Sequence, residues 1–585
     1  MAYLVRGAIG LFVGLWVLCG GIALAQTAAP PTSQVKPPII VPPAGGGVIA
    51  IPQVPAGAQI PPEAKSLKFK LLGFDIAGEF PELAAQREAI AAPLVGKTIT
   101  VAQLFQFADQ LQQIYVHAGY PLVRVVILPQ QFAGSARIKL RVIDGFIERM
   151  DLSAIAAPVR SRVASVLAPL LRKTHLKQSE LERRLLLAGE EPGLILNATF
   201  AAGKEVGGSV LVLTGRYRPV SASIYADDAM PVSFGTGQVV TTLAENGLAG
   251  LGEQFLVSVA GDPERDFFRY EPNRRYVSAT YTMPLGIDGW KLELFATDGR
   301  TTPFVFPAAA TYGVFDQGHV KIVYEAIKAR DSELSFRAMF EPANESLESI
   351  AFIPPVPINE DRVRPLRGGF DAIWRERTAG LTVSYGAELS QGLDAFGARS
   401  AADAEPPSVP LSQLGAKPVF TKLTGHIEIN QALPSDFFAA FKAYGQDSFQ
   451  HPLLLSEQFD IDGPNLLSGF TTGAFIGDSA WVTRMEVGRT FSAQFNPGTA
   501  ATLVLTPYLF GATGEVDIYQ PTAVQLGSVH VSNYGVGTRF NVPSWAPDAA
   551  DTYAFIEASR GYINQVITPT PNYTSRLFAG ILMQY

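Results

Sequence analysis

From residue 216 to residue 585 the chain is built of short segments that alternate polar and apolar side chains, without helical periodicity. In a strand, successive side chains point to opposite faces, so such alternation marks a sheet with two different environments. The stretch Phe420 to Asn430 shows the pattern. Lys422, Thr424, His426, Glu428 and Asn430 fall on one face, and Leu423, Ile427 and Ile429 on the other. Similar segments are Tyr276 to Met283, Lys291 to Thr297, Val320 to Ala326, Leu334 to Glu341, Leu381 to Leu389, Trp481 to Val487, Thr502 to Phe510, Val529 to Phe540, Tyr553 to Ala558 and Arg576 to Tyr585. A sheet with an apolar outside and a polar inside suits lipid only if it closes, because an open edge would leave backbone N–H and C=O groups unpaired in hydrocarbon. The spacing gives about 16 strands, at roughly 23 residues per strand and connection, which matches tilted ~10-residue strands. Leu577, Ala579, Ile581, Met583 and Tyr585 share one face, as the lipid-facing edge of a last strand would. A soluble sandwich or propeller also alternates. Charged residues at 17%, beside 47% hydrophobic, the missing blade repeat and the terminal aromatic favour an all-β transmembrane 16-strand barrel over residues 216–585.

The N-terminus reads as an export signal. Arg6, the apolar stretch Ala8 to Leu18 and then Ala23-Leu24-Ala25 are the charged, apolar and small-residue regions of a signal peptide, residues 1–25. The one cysteine, Cys19, lies inside the signal peptide, so the exported chain is expected to have neither disulfides nor thiolate metal sites. After the signal no run of 18 apolar residues offers a membrane-spanning helix. Residues 26–65 carry Pro30-Pro31, Pro37-Pro38, Pro42-Pro43, Gly45-Gly46-Gly47 and Pro61-Pro62, and read as an extended periplasmic linker.

Residues 66–145 and 146–215 read as two tandem β-α-α-β-β modules of α+β type. In the first, Thr100 and Gln103 form a capping-box pair. Val101, Leu104, Ala108, Leu111 and Tyr115 then recur at helical spacing until Gly119. Pro121 to Leu128 and Arg137 to Ile143 follow as strands. The second module has a strand at Phe146 to Leu152, helices at Val159 to Arg172 and Gln178 to Ala188, and strands at Gly193 to Phe200 and Ser209 to Gly215. An exposed strand edge in such a module is suited to pairing with an extended peptide.

Catalytic signals do not rise above structural readings. The six histidines lack the i, i+4 spacing of a helical zinc pair, and Gly247-Leu248-Ala249-Gly250-Leu251-Gly252 reads as a hairpin turn rather than a phosphate cradle. No Gly-x-Ser-x-Gly elbow occurs. No cofactor, metal or enzymatic activity is expected, and a net charge of −7 gives no basic field for nucleic acid.

Several motifs together resemble the two-partner secretion transporters, the TpsB family of ShlB/FhaC/HecB-like haemolysin secretion and activation proteins. Tyr115 to Arg124, containing Gly119-Tyr120-Pro121, followed by Leu128-Pro129-Gln130, resembles the family's first POTRA signature, and Arg137 to Gly145 its closing strand. Ser456 to Val487 resembles the long loop that folds into the barrel, here residues 452–476, and the strand after it. The resemblance implies two periplasmic POTRA domains and a barrel in the outer membrane of a Gram-negative bacterium. It further implies an unfolded TpsA-like exoprotein as cargo, outer-membrane lipids as surroundings and the barrel-assembly machinery as helper in biogenesis. An outer-membrane protein-assembly factor of the same superfamily and a passive porin are the alternatives. Two departures from the family pattern stand out. The loop tip reads Leu467-Ser468-Gly469-Phe470 where the family has Val-Arg-Gly-Tyr or Val-Arg-Gly-Phe. The receiving strand reads Phe510-Gly511-Ala512-Thr513-Gly514 where the family has Phe-x-Asp-x-Gly. Arginine and aspartate are thus both missing. The expectation is that Ser468 faces Ala512 across the lumen and that Phe470 packing and backbone hydrogen bonds hold the loop.

Overall fold

The computed structural model describes residues 29–38, 61–131, 134–262, 267–304, 309–463, 466–494, 502–523, 525–543, 550–564 and 573–585. The signal peptide reading, residues 1–25, lies outside them.

The first module contains β1 (Lys68–Ala77), α1 (Ala84–Ala91), β2 (Thr98–Thr100), α2 (Val101–His117), β3 (Arg124–Ile127) and β4 (Ser135–Ile143). Its sheet runs β2-β1-β4-β3, with β1 and β4 parallel. The short β2, between the two helices, is not apparent in the sequence. Thr100 both ends it and caps α2: Gln103 N donates to Thr100 Oγ1 at 3.1 Å, and Thr100 N donates to Gln103 Oε1 at 2.8 Å. Leu104, Phe107, Leu111 and Tyr115 are the buried stripe of α2, packed on Phe69, Leu71, Ile138 and Leu140 of the sheet. Gly119, at φ +89°, lets the chain leave the helix in the left-handed region.

The second module contains β5 (Phe146–Ala154), α3 (Ala157–Leu167), α4 (Gln178–Ala188), β6 (Leu194–Ala202) and β7 (Gly208–Tyr217), with sheet order β5-β7-β6. It is joined closely to the first. Leu122 packs into the second module's core, Gln178 N donates to Gly119 O at 2.8 Å, and the Phe80 and His175 rings stack at 4.0 Å.

The remaining strands close into one barrel. The first, Val220–Asp227, pairs with the last, Tyr573–Gln584, and Tyr585 N donates to Ala222 O at 2.8 Å. Around the ring sixteen antiparallel strands are counted when two features are set aside. Phe491–Gln494 continues Ser479–Arg489 against the same neighbour, Thr502–Asp517. The hairpin Ala343–Ser349 and Val356–Val363 prolongs Thr311–Lys328 beyond the ring, where Ser332–Phe340 pairs directly with Pro365–Glu376. Faces alternate as the sequence predicts. On Ser479–Arg489, Met485 is 63% exposed while its neighbours Arg484 and Glu486 are buried. No described helix is long and apolar enough to cross a membrane.

Helix α4 docks on the strand turns of one rim. Arg183 donates to Glu325 O at 2.7 Å and Asp288 O at 2.9 Å, and Arg184 to Ile287 O at 2.8 Å. Glu190 pairs with Lys291 at 2.8 Å and Lys328 at 2.5 Å. This is the module-side rim; the opposite one is the far rim.

Candidate functional site

The segment between Phe437–Asp447 and Ser479–Arg489 leaves the far rim and folds back into the lumen. Its base is tied by Asp478. The carboxylate accepts from Leu453 N at 2.8 Å, Gln458 Nε2 at 2.9 Å and Tyr519 N at 2.7 Å. Glu457 is next. It is buried between Arg367 and Lys422 of the wall, each at 2.8 Å from its carboxylate, while Lys422 Nζ also donates to Glu457 O at 2.7 Å. Two cations from the wall thus converge on one acid of the loop, a charge-assisted arrangement that survives burial because every charge has a partner.

At the tip, Ser468 and Leu467 are buried. Arg484, fully buried on the wall, donates to Leu466 O at 3.0 Å and Ser468 Oγ at 3.2 Å. The same guanidinium bonds Glu486 at 2.8 Å and Glu557 at 2.7 Å, and lies 3.8 Å over the Phe510 ring. Arg539 pairs with Glu486 at 2.6 Å and Tyr508 OH donates to Glu557 at 2.6 Å, so each acid has a second partner. Arg576, from the last strand, donates to Phe470 O. The arginine missing from the loop therefore has a counterpart on the wall. The loop offers a hydroxyl and carbonyls as acceptors, and the wall offers the cations.

The receiving strand meets the loop as follows. Ala512 is the cross-strand neighbour of Arg484 and belongs to a buried cluster with Leu467, Phe470, Ile461 and Val482. Ser468 Oγ accepts from Arg484, the cross-strand neighbour of Ala512. Phe510 contributes its ring face to Arg484. A Cβ at Gly514 would meet Ile461 at 3.1 Å, and a Cβ at Gly469 would meet Asn533 at 3.1 Å, so both glycines permit close approach. Phe470 fits a notch at Gly561, where a Cβ would stand 2.5 Å from its ring, and meets Phe475 edge-on at 5.0 Å.

Residues 29–38 lie beside this loop. The composition assigns them to a periplasmic linker, but they run through the barrel, with Thr32, Ser33 and Val35 buried. Thr32–Gln34 make one tight 3-10 turn, in which Gln34 N donates to Pro31 O at 3.0 Å and Val35 N to Thr32 O at 3.3 Å, and other polar groups of the segment turn to the wall. Ser33 N and Oγ donate to Glu345, each at 2.8 Å, Arg274 donates to Val35 O at 2.9 Å, and Tyr276 OH donates to Thr32 O. Gln34 Nε2 donates to Leu455 O at 2.5 Å and Gln458 O at 3.2 Å, joining this segment to the loop. Sequence reading missed Arg576 and Arg367, and gave Arg484, Lys422 and Glu457 no partners. The signals were the inward parity of Arg484 and Lys422 on their strands and the place of Glu457 and Arg484 in the motifs of the loop and the strand after it.

The signature residues of the first module make contacts within it. Tyr120 OH donates to Glu82 at 2.9 Å, and Pro121 follows it in the turn that brings Leu122 to the second module. Gln130, after Pro129, donates to Leu128 O at 3.0 Å and accepts from Lys139 N at 2.9 Å, closing the β3–β4 hairpin. Among the described residues no three metal-ligating side chains converge.

Comparisons agree with this geometry. The outer membrane transporter CdiB of Escherichia coli is 23% identical over 219 residues, covering 37% of this chain and 36% of the relative. The heme/hemopexin transporter protein HuxB of Haemophilus influenzae is 27% identical over 122 residues, 20% of this chain and 21% of the relative. The aligned region thus spans about a third or less of these relatives' length. In three dimensions, CdiB from Escherichia coli superposes with a TM-score of 0.61 at 16% identity, over 91% of this chain and 92% of that one. CdiB from Acinetobacter baumannii gives 0.55 at 13% identity, over 92% and 95%. The profile of the ShlB-type POTRA domain matches residues 69–145, and that of the haemolysin secretion/activation protein ShlB/FhaC/HecB matches residues 207–540. With a lumen filled by its own loop, two α+β modules docked at one rim and more than half of its length matched by that profile, the chain belongs to the ShlB/FhaC/HecB family of outer-membrane β-barrel transporters.

Proposed function

We propose that this barrel carries an unfolded exoprotein of TpsA type across the outer membrane, after capture by the two POTRA modules in the periplasm. The observation that carries the reading is the filled lumen. Residues 29–38 and the loop tip are held by hydrogen bonds to wall residues, contacts that an incoming extended chain offers in kind through its own N–H and C=O groups. A pore that only leaked solutes would gain nothing from modules fixed at one rim by Arg183, Arg184 and Glu190. Capture by pairing with a free strand edge is tolerant of cargo sequence. The chain carries no nucleotide-binding motif, so folding of the cargo outside supplies the free energy.

Deleting residues 66–215 tests this. The barrel is expected to remain heat-modifiable in the outer membrane while one large protein disappears from the culture medium. Undiminished export by the truncated barrel refutes capture by the modules.

A further inference from the structure

The outer wall carries a feature that the lumen does not explain. A groove of about 720 Å³ crosses the strands from Phe437–Asp447 to Tyr573–Gln584, lined by Phe437, Phe491, Leu509, Val536, Ala558 and Leu577 with Arg489 at its end. Its apolar residues alternate with the buried lumen residues of the same strands, so they face outward. One row follows the pairing ladder, Val487 to Leu509 to Val536 to Ala558 to Leu577. Four inter-strand steps of about 4.8 Å make a track roughly 19 Å long. Because barrel strands tilt by about 40°, a row perpendicular to them climbs obliquely through the bilayer. Phe437 opens its strand at the module-side rim, whereas Leu577 stands near the far-rim start of the last strand.

At the module-side end Arg489 lies over two rings, Phe437 at 5.3 Å and Phe491 at 4.9 Å. No carboxylate pairs with it among the described residues, and its buried Nε has no hydrogen-bond partner. An outward cation at the hydrocarbon boundary without a protein counterion, at the head of an apolar track, matches an anion attached to an alkyl chain. We propose that this groove is a phospholipid-binding site, with one acyl chain along Val487 to Leu577 and the phosphate on Arg489. The inference rests on the barrel standing in a membrane and not on cargo transport, so either can fail alone.

The full chain in lipid-free micelles, titrated with palmitoyl-oleoyl phosphatidylglycerol and followed by native mass spectrometry, tests it. The wild type is expected to retain one phospholipid at low lipid. Arg489→Gln, which removes the charge, and Ala558→Phe, which fills the track, should each lower apparent affinity about tenfold. Arg560→Gln, which alters an arginine set between Tyr562 and Tyr573 in the last two strands, should retain it as the wild type does. Heat-modifiable migration checks that each variant is folded. Equal retention by all four folded proteins, or equal loss in Arg560→Gln, overturns the site and leaves only the annular lipid that any barrel gathers.

Discussion

Arg484 holds together more of the lumen than any other side chain described above, since two wall acids and two acceptors of the loop meet on one guanidinium. Removing it leaves Glu557 and Glu486 short of a buried partner, which typically costs about 3 to 5 kcal/mol. Arg484→Ala should therefore raise resting conductance in planar bilayers. Ser468→Ala alone should do so weakly, and the two together should show a coupling of about 0.5 to 3 kcal/mol because the residues touch. Strict additivity would show that the contact between Arg484 and Ser468 contributes nothing to closure. In the second module, burial pushes the Glu191 carboxyl up to about 7, against the Arg162 guanidinium 3.0 Å away. An acid with a raised folded-state pKa favours folding while protonated, so stability falls as pH rises from about 4.5 to 7, by on the order of 3 kcal/mol. Hydrogen exchange of α4, corrected for the intrinsic rate, should show less protection at pH 8 than at pH 5.5. Glu191→Gln should flatten that difference; an unchanged pH dependence would remove Glu191 as its source.

Among elements, α2 was legible to the residue because its capping box, apolar stripe and terminal glycine all agree. The strands were legible where alternation is clean, as in Thr421–Ala432. Phe437–Asp447 was not, since Ala439, Ala440 and Ala443 blur the two faces, and Pro365–Glu376 carries Gly368-Gly369 in its middle. The loop-receiving strand could be located from its motif, but its partner arginine could not, because Arg484 acts across a fold that only the barrel brings about. The lumen path of residues 29–38 was equally hidden: proline-rich composition describes a chain that does not fold alone, and says nothing of a wall that receives it. The loop is expected to act as one element. Deleting residues 456–470 removes Glu457 and the tip together, and should give a larger and steadier conductance than Arg484→Ala; equal conductance to the wild type would show that the loop does not obstruct the pore.

Over the whole molecule, the modules and barrel are linked by a small polar interface in which Arg183, Arg184, Lys291, Lys328 and Glu190 take part. Replacing Arg183 and Arg184 by alanine should widen the distribution of distances between spin labels on α4 and on the far side of the same rim, while the barrel stays closed. The closure itself has a further consequence for how the protein forms. Ala579 N reaches Asp228 Oδ1 across 351 residues of sequence, and the ladder beside it joins the first strand to residues 580–584. A contact of such high order cannot be made until residues 579–584 have been added, and closing so long a loop of chain makes closure a slow step. Until residues 580–584 pair with residues 223–227, the sheet keeps two open edges whose N–H and C=O groups have no strand partner.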